Sequence, residues 1–203
     1  MRVRPVVAAV SSFVLVVLAG CASTAQQAKP SESRARDFVP LAIGNRWEYR
    51  ISAATAGSPN DVVEIVSKDA QGYYVDAGGR RLAPRTDGLY DGVRFLLQEP
   101  IEAGHEWIAV EKDRPDALER YKIAAIGVMA QVPAGTFYGC VQVDLTQAIR
   151  HETTGAKATM TVTWIYAPGV GLVKNFGSLT PQGGAPVTTP TMELVAYNVK
   201  PHG

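Results

Sequence analysis

From Asp37 onward, apolar and polar residues alternate with a period of two. In NRWEYRI, Trp47, Tyr49 and Ile51 fall on one side and Arg46, Glu48 and Arg50 on the other, the pattern of a strand with one buried face. KATMTVTWIY does the same over a longer run: Ala158, Met160, Val162, Trp164 and Tyr166 oppose Thr159, Thr161 and Thr163, which puts Trp164 at the centre of the longest apolar face. Further strands are predicted over Asp61 to Lys68, Gly72 to Val75, Arg80 to Ala83, Leu89 to Gln98, Glu106 to Glu111, Leu118 to Val128, Phe137 to Ile149, Gly171 to Phe176 and Thr191 to Val199. Turn signals separate them: Gly78-Gly79, Asp87-Gly88, Pro133-Ala134-Gly135, Ala167-Pro168-Gly169 and the loop Thr180 to Pro190. No long helical period is present, and Arg114 to Arg120 is given a turn or two of helix at most. The expectation is an all-β domain of about nine to eleven antiparallel strands in one strongly curved sheet, a half-barrel or open barrel, because a sheet this wide curls, closes or splits.

One motif occurs twice. PLAIGNRWEY at Pro40 to Tyr49 and PIEAGHEWIAV at Pro100 to Val110 share proline, an apolar residue, glycine and tryptophan at the same offsets. Proline cannot donate to a ladder, glycine permits a positive φ and tryptophan supplies a large anchor, so each copy reads as a turn that enters a strand. Two readings stand: two related halves of one sheet, or convergence on a common way of entering a strand.

The first twenty residues, MRVRPVVAAVSSFVLVVLAG, depart from this pattern. Two arginines, an apolar run from Val6 to Leu18 and small residues after it have the form of an export signal, too short to span a bilayer comfortably. Cys21 follows directly. Leu18-Ala19-Gly20-Cys21 resembles the lipobox of bacterial lipoproteins, and the resemblance implies diacylglycerol on the Cys21 thiol, cleavage before it and acylation of the new amine. Ala22 to Arg36, ASTAQQAKPSESRAR, is small and polar and cannot repay the entropy of ordering, so residues 21–36 read as a leash with a reach on the order of 20–25 Å. The domains expected are thus the signal 1–20, the leash 21–36 and one β domain 37–203. Ala22 stands where related envelope systems read an aspartate as retention on the inner membrane, which points to the periplasmic side of the outer membrane. Several acyl chains on Cys21 anchor durably where one would not.

With 203 residues and 46% hydrophobic content, the chain has enough apolar material for one core. Its formal charge of +1 falls to about −1 once Arg2 and Arg4 of the signal are removed. A near-neutral chain without a basic run has no electrostatic footprint for nucleic acid. Three elements, VPLAIGNRWEY, VPAGTFYGCVQV and WIYAPGVGLVK, are followed by MELVAYNV. Together they resemble a group of β-rich bacterial envelope lipoproteins with GNxWxY, VPAGxFxxC and YAPGVGxV motifs and no assigned activity. The resemblance covers Val39 to about Val199 and implies a curved antiparallel sheet like the half-barrels of lipoprotein carriers.

Catalytic chemistry is sparse in this sequence. His105, His151 and His202 are scattered, and no paired spacing offers a metal set, so neither a cofactor nor a metal is expected. Glu48, Glu64, Glu106 and Asp144 alternate with apolar residues and read as a solvated face. With Cys21 committed to lipid, Cys140 has no internal disulfide partner and has two readings, a small residue packed under a loop or within the curved sheet and a reactive or intermolecular thiol. Trp47, Tyr49, Trp107, Trp164 and Tyr166 either line a groove or pack against one another, and the loop Thr180 to Pro190 would gate such a groove. The expected protein is a non-enzymatic, monomeric envelope lipoprotein that binds or carries an apolar ligand or a partner protein. The alternatives are a structural accessory of an envelope complex and, behind it, a hydrolase.

Overall fold

Alternation along the chain translates into strand after strand in a computed structural model that describes residues 33–52, 60–111, 114–150 and 153–200. The signal 1–20, Cys21, most of the leash, His151 and His202 lie outside the described residues. A four-residue helix, α1 (Ala35–Phe38), precedes thirteen strands. These are β1 (Arg46–Ile51), β2 (Asp61–Lys68), β3 (Tyr74–Asp76), β4 (Arg81–Arg85), β5 (Gly88–Tyr90), β6 (Phe95–Gln98) and β7 (Glu106–Glu111), then β8 (Arg114–Val132), β9 (Gly135–Arg150), β10 (Lys157–Ala167), β11 (Gly171–Pro181), β12 (Val187–Thr188) and β13 (Met192–Asn198). Two more strands form than the upper bound read from the sequence. Leu89 to Gln98 breaks at a turn where Asp91 accepts from the backbone N–H groups of Val93 and Arg94, giving β5 and β6, and β12 forms inside the Thr180 to Pro190 loop.

Strands β1 to β6 and β7 to β11 each pair antiparallel with their sequence neighbours, and β13 joins β1 to β11, so the sheet coils into a nearly closed up-and-down barrel. Its one break in the ladder order lies between β6 and β7, and β12 is an extra strand on β11. Arg114 to Arg120 is strand, not helix: Leu118 pairs with Val110 and Glu119 with both Ala109 and Gln147, so two ladders hold this segment extended. The wall is uneven, with β8 and β9 running 19 and 16 residues while β3 and β5 have three each. Three bulges interrupt the ladder between β8 and β9.

The two motif copies make the same turn. Gly44, at φ +88°, donates its N–H to Ile65 O at 2.8 Å, Ile65 donates back to Asn45 O at 2.9 Å, and Asn45 donates to Ala42 O at 3.0 Å. Gly104, at φ +92°, donates to Ile123 O at 2.8 Å, Ile123 to His105 O at 2.8 Å, and His105 to Glu102 O at 3.1 Å. The first copy opens the β1–β6 half and the second opens the half that starts at β7. Asn45, fully buried, also ties the end of the chain to this turn, donating to Pro40 O at 2.9 Å and accepting from the Lys200 N–H at 2.8 Å.

Ala35 and Phe38 of α1 are buried, Arg34 pairs with Glu99 at 2.7 Å and Gly169 donates to Asp37 O at 2.7 Å. The last residues of the expected leash therefore belong to the folded domain, because two apolar side chains three apart find a floor to cover. Opposite the core, the outer wall carries ion pairs between Arg46 and both Glu48 and Glu64, between Glu193 and both Lys174 and Arg50, and between Lys122 and Glu106. Exposed apolar residues, among them Val62, Ile108 and Phe176, are interspersed with these pairs. Among the described residues no helix is long and apolar enough to cross a membrane.

Candidate ligand cavity

Inside the barrel, β1 directs Trp47 and Tyr49 toward the core, each fixed by its polar tip. Trp47 donates its indole N–H to Val170 O at 2.6 Å, and Tyr49 donates its hydroxyl to Leu172 O at 3.0 Å. Gly171 makes the first contact feasible: a Cβ there would lie 3.2 Å from Trp47 Nε1, so only glycine lets β11 pass this close to the ring. Opposite β10, β11 carries an extra residue, Val173, between the partners of Ile165 and Tyr166, and Ile165, Tyr166 and Ala167 are buried in succession. Tyr166 then faces Trp47 and Tyr49 across a cavity of about 440 Å³. Val39 and Leu41 join the lining from the segment after α1, Leu82, Leu89 and Leu96 from the short wall, and Leu172 and Met192 from β11 and β13.

Charge enters the lining through Asp61, Asp76, Asp91, Arg80 and Arg81. Asp76, though buried, accepts from both the backbone N–H and the Nε of Arg80, at 2.8 and 2.6 Å. Arg81 is held by Asp69 at 2.5 Å and lies over the Tyr73 ring. Hydrogen bonds from the Tyr73 N–H and the Arg81 guanidinium hold the exposed Asp69 carboxyl below its ordinary value, against the opposing effect of desolvation. Burial raises the Tyr49 phenol well above its usual range, and the Tyr166 phenol likewise, there with the added influence of Tyr121, Tyr49 and Asp91. Both are therefore hydrogen-bond donors at any physiological pH.

Trp107 and Trp164 do not line this cavity. They belong to a ladder of rings on the other half of the barrel, His105 to Trp107 at 5.7 Å, Trp107 to Tyr121 at 5.2 Å and Tyr121 to Trp164 at 5.9 Å between centroids, all stacked. Trp164 is only partly buried, packed against the edge of the core rather than at its centre. Trp107 instead bridges the break in the sheet, donating its indole N–H to Phe95 O at 2.9 Å. Beside it Arg94 is ion-paired with the buried Glu119, which also accepts from the Tyr121 hydroxyl at 2.9 Å. Nothing in the sequence paired Arg94 with Glu119. Only the coiling of the sheet, which sets β6 beside β7 and β8, brings them together.

The loop Thr180 to Pro190 does not gate the cavity. Thr180 to Gly184 instead border a separate open depression with the ends of β9 and β10. Cys140 is fully buried and unbridged, opposite Val128, and burial pushes its thiol up. Among the described residues no cluster of three His, Cys, Asp or Glu side chains is arranged to hold a metal.

The fold and cavity together define a class: a nearly closed antiparallel barrel with an apolar void rimmed by charge. No protein-family model and no curated protein matches this chain. Two solved structures align with 79% of it and 98% of their own chains. One is a candidate lipoprotein of Parabacteroides distasonis ATCC 8503, at 15% identity and a TM-score of 0.41. The other is a candidate exported protein with YmcC-like fold from Bacteroides fragilis NCTC 9343, at 14% identity and a TM-score of 0.43.

Proposed function

We propose that this chain is an envelope lipoprotein, anchored through lipid on Cys21 to the periplasmic face of the outer membrane, whose barrel holds an apolar ligand without transforming it. The observation that carries the reading is the cavity of about 440 Å³ beside Trp47, Tyr49 and Tyr166, a size within the usual range for small-molecule sites. Its described lining offers no Ser, His or Cys side chain, and Asp76 and Asp91 are spent on protein hydrogen bonds. Those features favour holding over hydrolysis.

The test is tryptophan quenching by a brominated acyl chain. Saturable quenching is expected, lost in Trp47→Phe and kept in Trp164→Phe, because only the first ring borders the cavity. No saturable quenching in the wild type would defeat the reading. Anchoring is tested separately: Cys21→Ser should leave the precursor uncleaved and out of the membrane fraction, and unchanged mass and fractionation would refute it.

The accessory reading draws on a different surface. Met129 is 60% and Tyr138 70% exposed on the β8–β9 hairpin, an apolar display that a partner protein would cover. Chemical cross-linking in intact cells from this hairpin, with no quenching at Trp47, would favour it.

A further inference from the structure

Hydrogen-bonding side chains around the cavity are nearly all engaged by the protein itself. The exceptions among the described residues are Asp61, exposed at the rim, and Tyr166, only 5% exposed and deep in the wall. Among the described residues the Tyr166 hydroxyl has no hydrogen-bond partner, and Tyr166 is part of the lining of the void. An unanswered buried hydroxyl is costly, and an occupant that brings an acceptor removes that cost.

The surrounding charges restrict what the acceptor is. Asp91 is close enough to influence the Tyr166 phenol, while Arg80 and Arg81 are turned to Asp76 and Asp69. Asp91 itself shares the cation Arg94 with Glu119, so among the described residues each arginine near the lining is already paired. An ionised carboxylate placed at Tyr166 would be buried without a cation of its own, which is far more costly than burying a carbonyl. Resting on the binding function proposed above, we infer that the cavity takes a neutral apolar molecule with a carbonyl-type oxygen, an acyl ester in chemical class, and seats that oxygen on the Tyr166 hydroxyl. Tyr166 is thereby a specificity residue rather than a core residue.

Three probes of matched chain length separate the possibilities on the full chain, each below its aggregation concentration: methyl dibromostearate, ionised dibromostearate and a dibromoalkane. The ester should bind about fivefold more tightly than the alkane, the yield of one ordinary hydrogen bond. Tyr166→Phe should abolish that advantage and leave alkane binding unchanged. Equal affinity for ester and alkane in the wild type, or an ester advantage that survives in Tyr166→Phe, would overturn the assignment of Tyr166 while leaving the binding function standing. Tighter binding of the carboxylate than of the ester would overturn the neutral class. Absence of quenching by all three would overturn the binding function and this inference together. Thermal unfolding guards against a folding artefact: the empty Tyr166→Phe protein should melt at or above the wild-type temperature, and a clear drop would show the hydroxyl to be structural and end the proposal.

Discussion

The segments opening at Pro40 and Pro100 build one turn and then serve opposite ends. Each places a positive-φ glycine against an isoleucine carbonyl and sends a tryptophan, 5% exposed in the first copy and 7% in the second, to donate its indole N–H to a backbone oxygen. Trp47 then borders an open cavity on a side where β1, β13 and β11 are joined by ladders. Trp107 stacks on Tyr121 where the ladder is broken, and its indole stands in for the missing backbone bonds. A local motif thus fixes a turn and an anchor. The strands packed opposite decide whether the anchor faces a void or fills a seam.

Truncating the two anchors sharpens this contrast. Trp107→Ala removes ring stacking and the bridge to Phe95 and should cost about 3–5 kcal/mol in chemical denaturation, whereas Trp47→Ala, beside existing space, should cost about 1–2 kcal/mol less. Equal losses would mean that the cavity flank is packed as tightly as the ladder of rings. Next in size is Arg94→Met, which strands the buried Glu119 at the seam and should cost about 3 kcal/mol near neutral pH. Chemical denaturation beside the wild type checks this, and a loss within experimental error of zero would show that the Arg94–Glu119 pair does not hold the seam.

The shared turn predicts equality rather than contrast. Gly44→Ala and Gly104→Ala each force alanine into a left-handed conformation, with open space at Gly104 and only the end of Lys200 near Gly44, so each should cost about 1 kcal/mol. A difference beyond experimental error would show that the two turns are alike in bonds but not in strain. The smallest effect belongs to the ladder-closed side. Hydrogen bonding from Lys174, and then the nearby charge of Lys174 and Arg50, outweighs burial and holds the Glu193 carboxyl below its ordinary value. A depressed folded value contributes stability above the unfolded value of 4.5 and loses it as pH falls through the folded one. Lys174→Met should therefore flatten the acid limb of the stability curve by a few tenths of a kcal/mol, because the pair is half open to water. An unchanged limb would remove this pair from the acid response.

What was legible in the sequence is what depends on neighbours along the chain. Strands β2 and β7 occupy the segments that period-two alternation marks, and the proline-to-tryptophan spacing announces both turns. Tyr166 is buried on the face that its alternation with Trp164 assigns, whereas Ile165, buried on the opposite face, lies beside a bulge in β11, and a bulge has no fixed residue signature. Arg114 to Arg120 misleads because a short charged run has weak preferences of its own and takes the conformation of the ladders on either side. The division of five aromatic residues into a cavity set and a seam set follows from how far the sheet coils, a property that no single strand carries.

The pairing of β1 with β13 also sets an order of events in folding. Arg46 finds its partner in Asn198, so the contact that completes the wall joins the earliest strand made to the last. Such long-range closure is slow relative to hairpin formation, and until it happens β1 and β11 are bare edges and the cavity has no fourth side. No stretch of β1 to β11 can therefore lock into the finished barrel by itself.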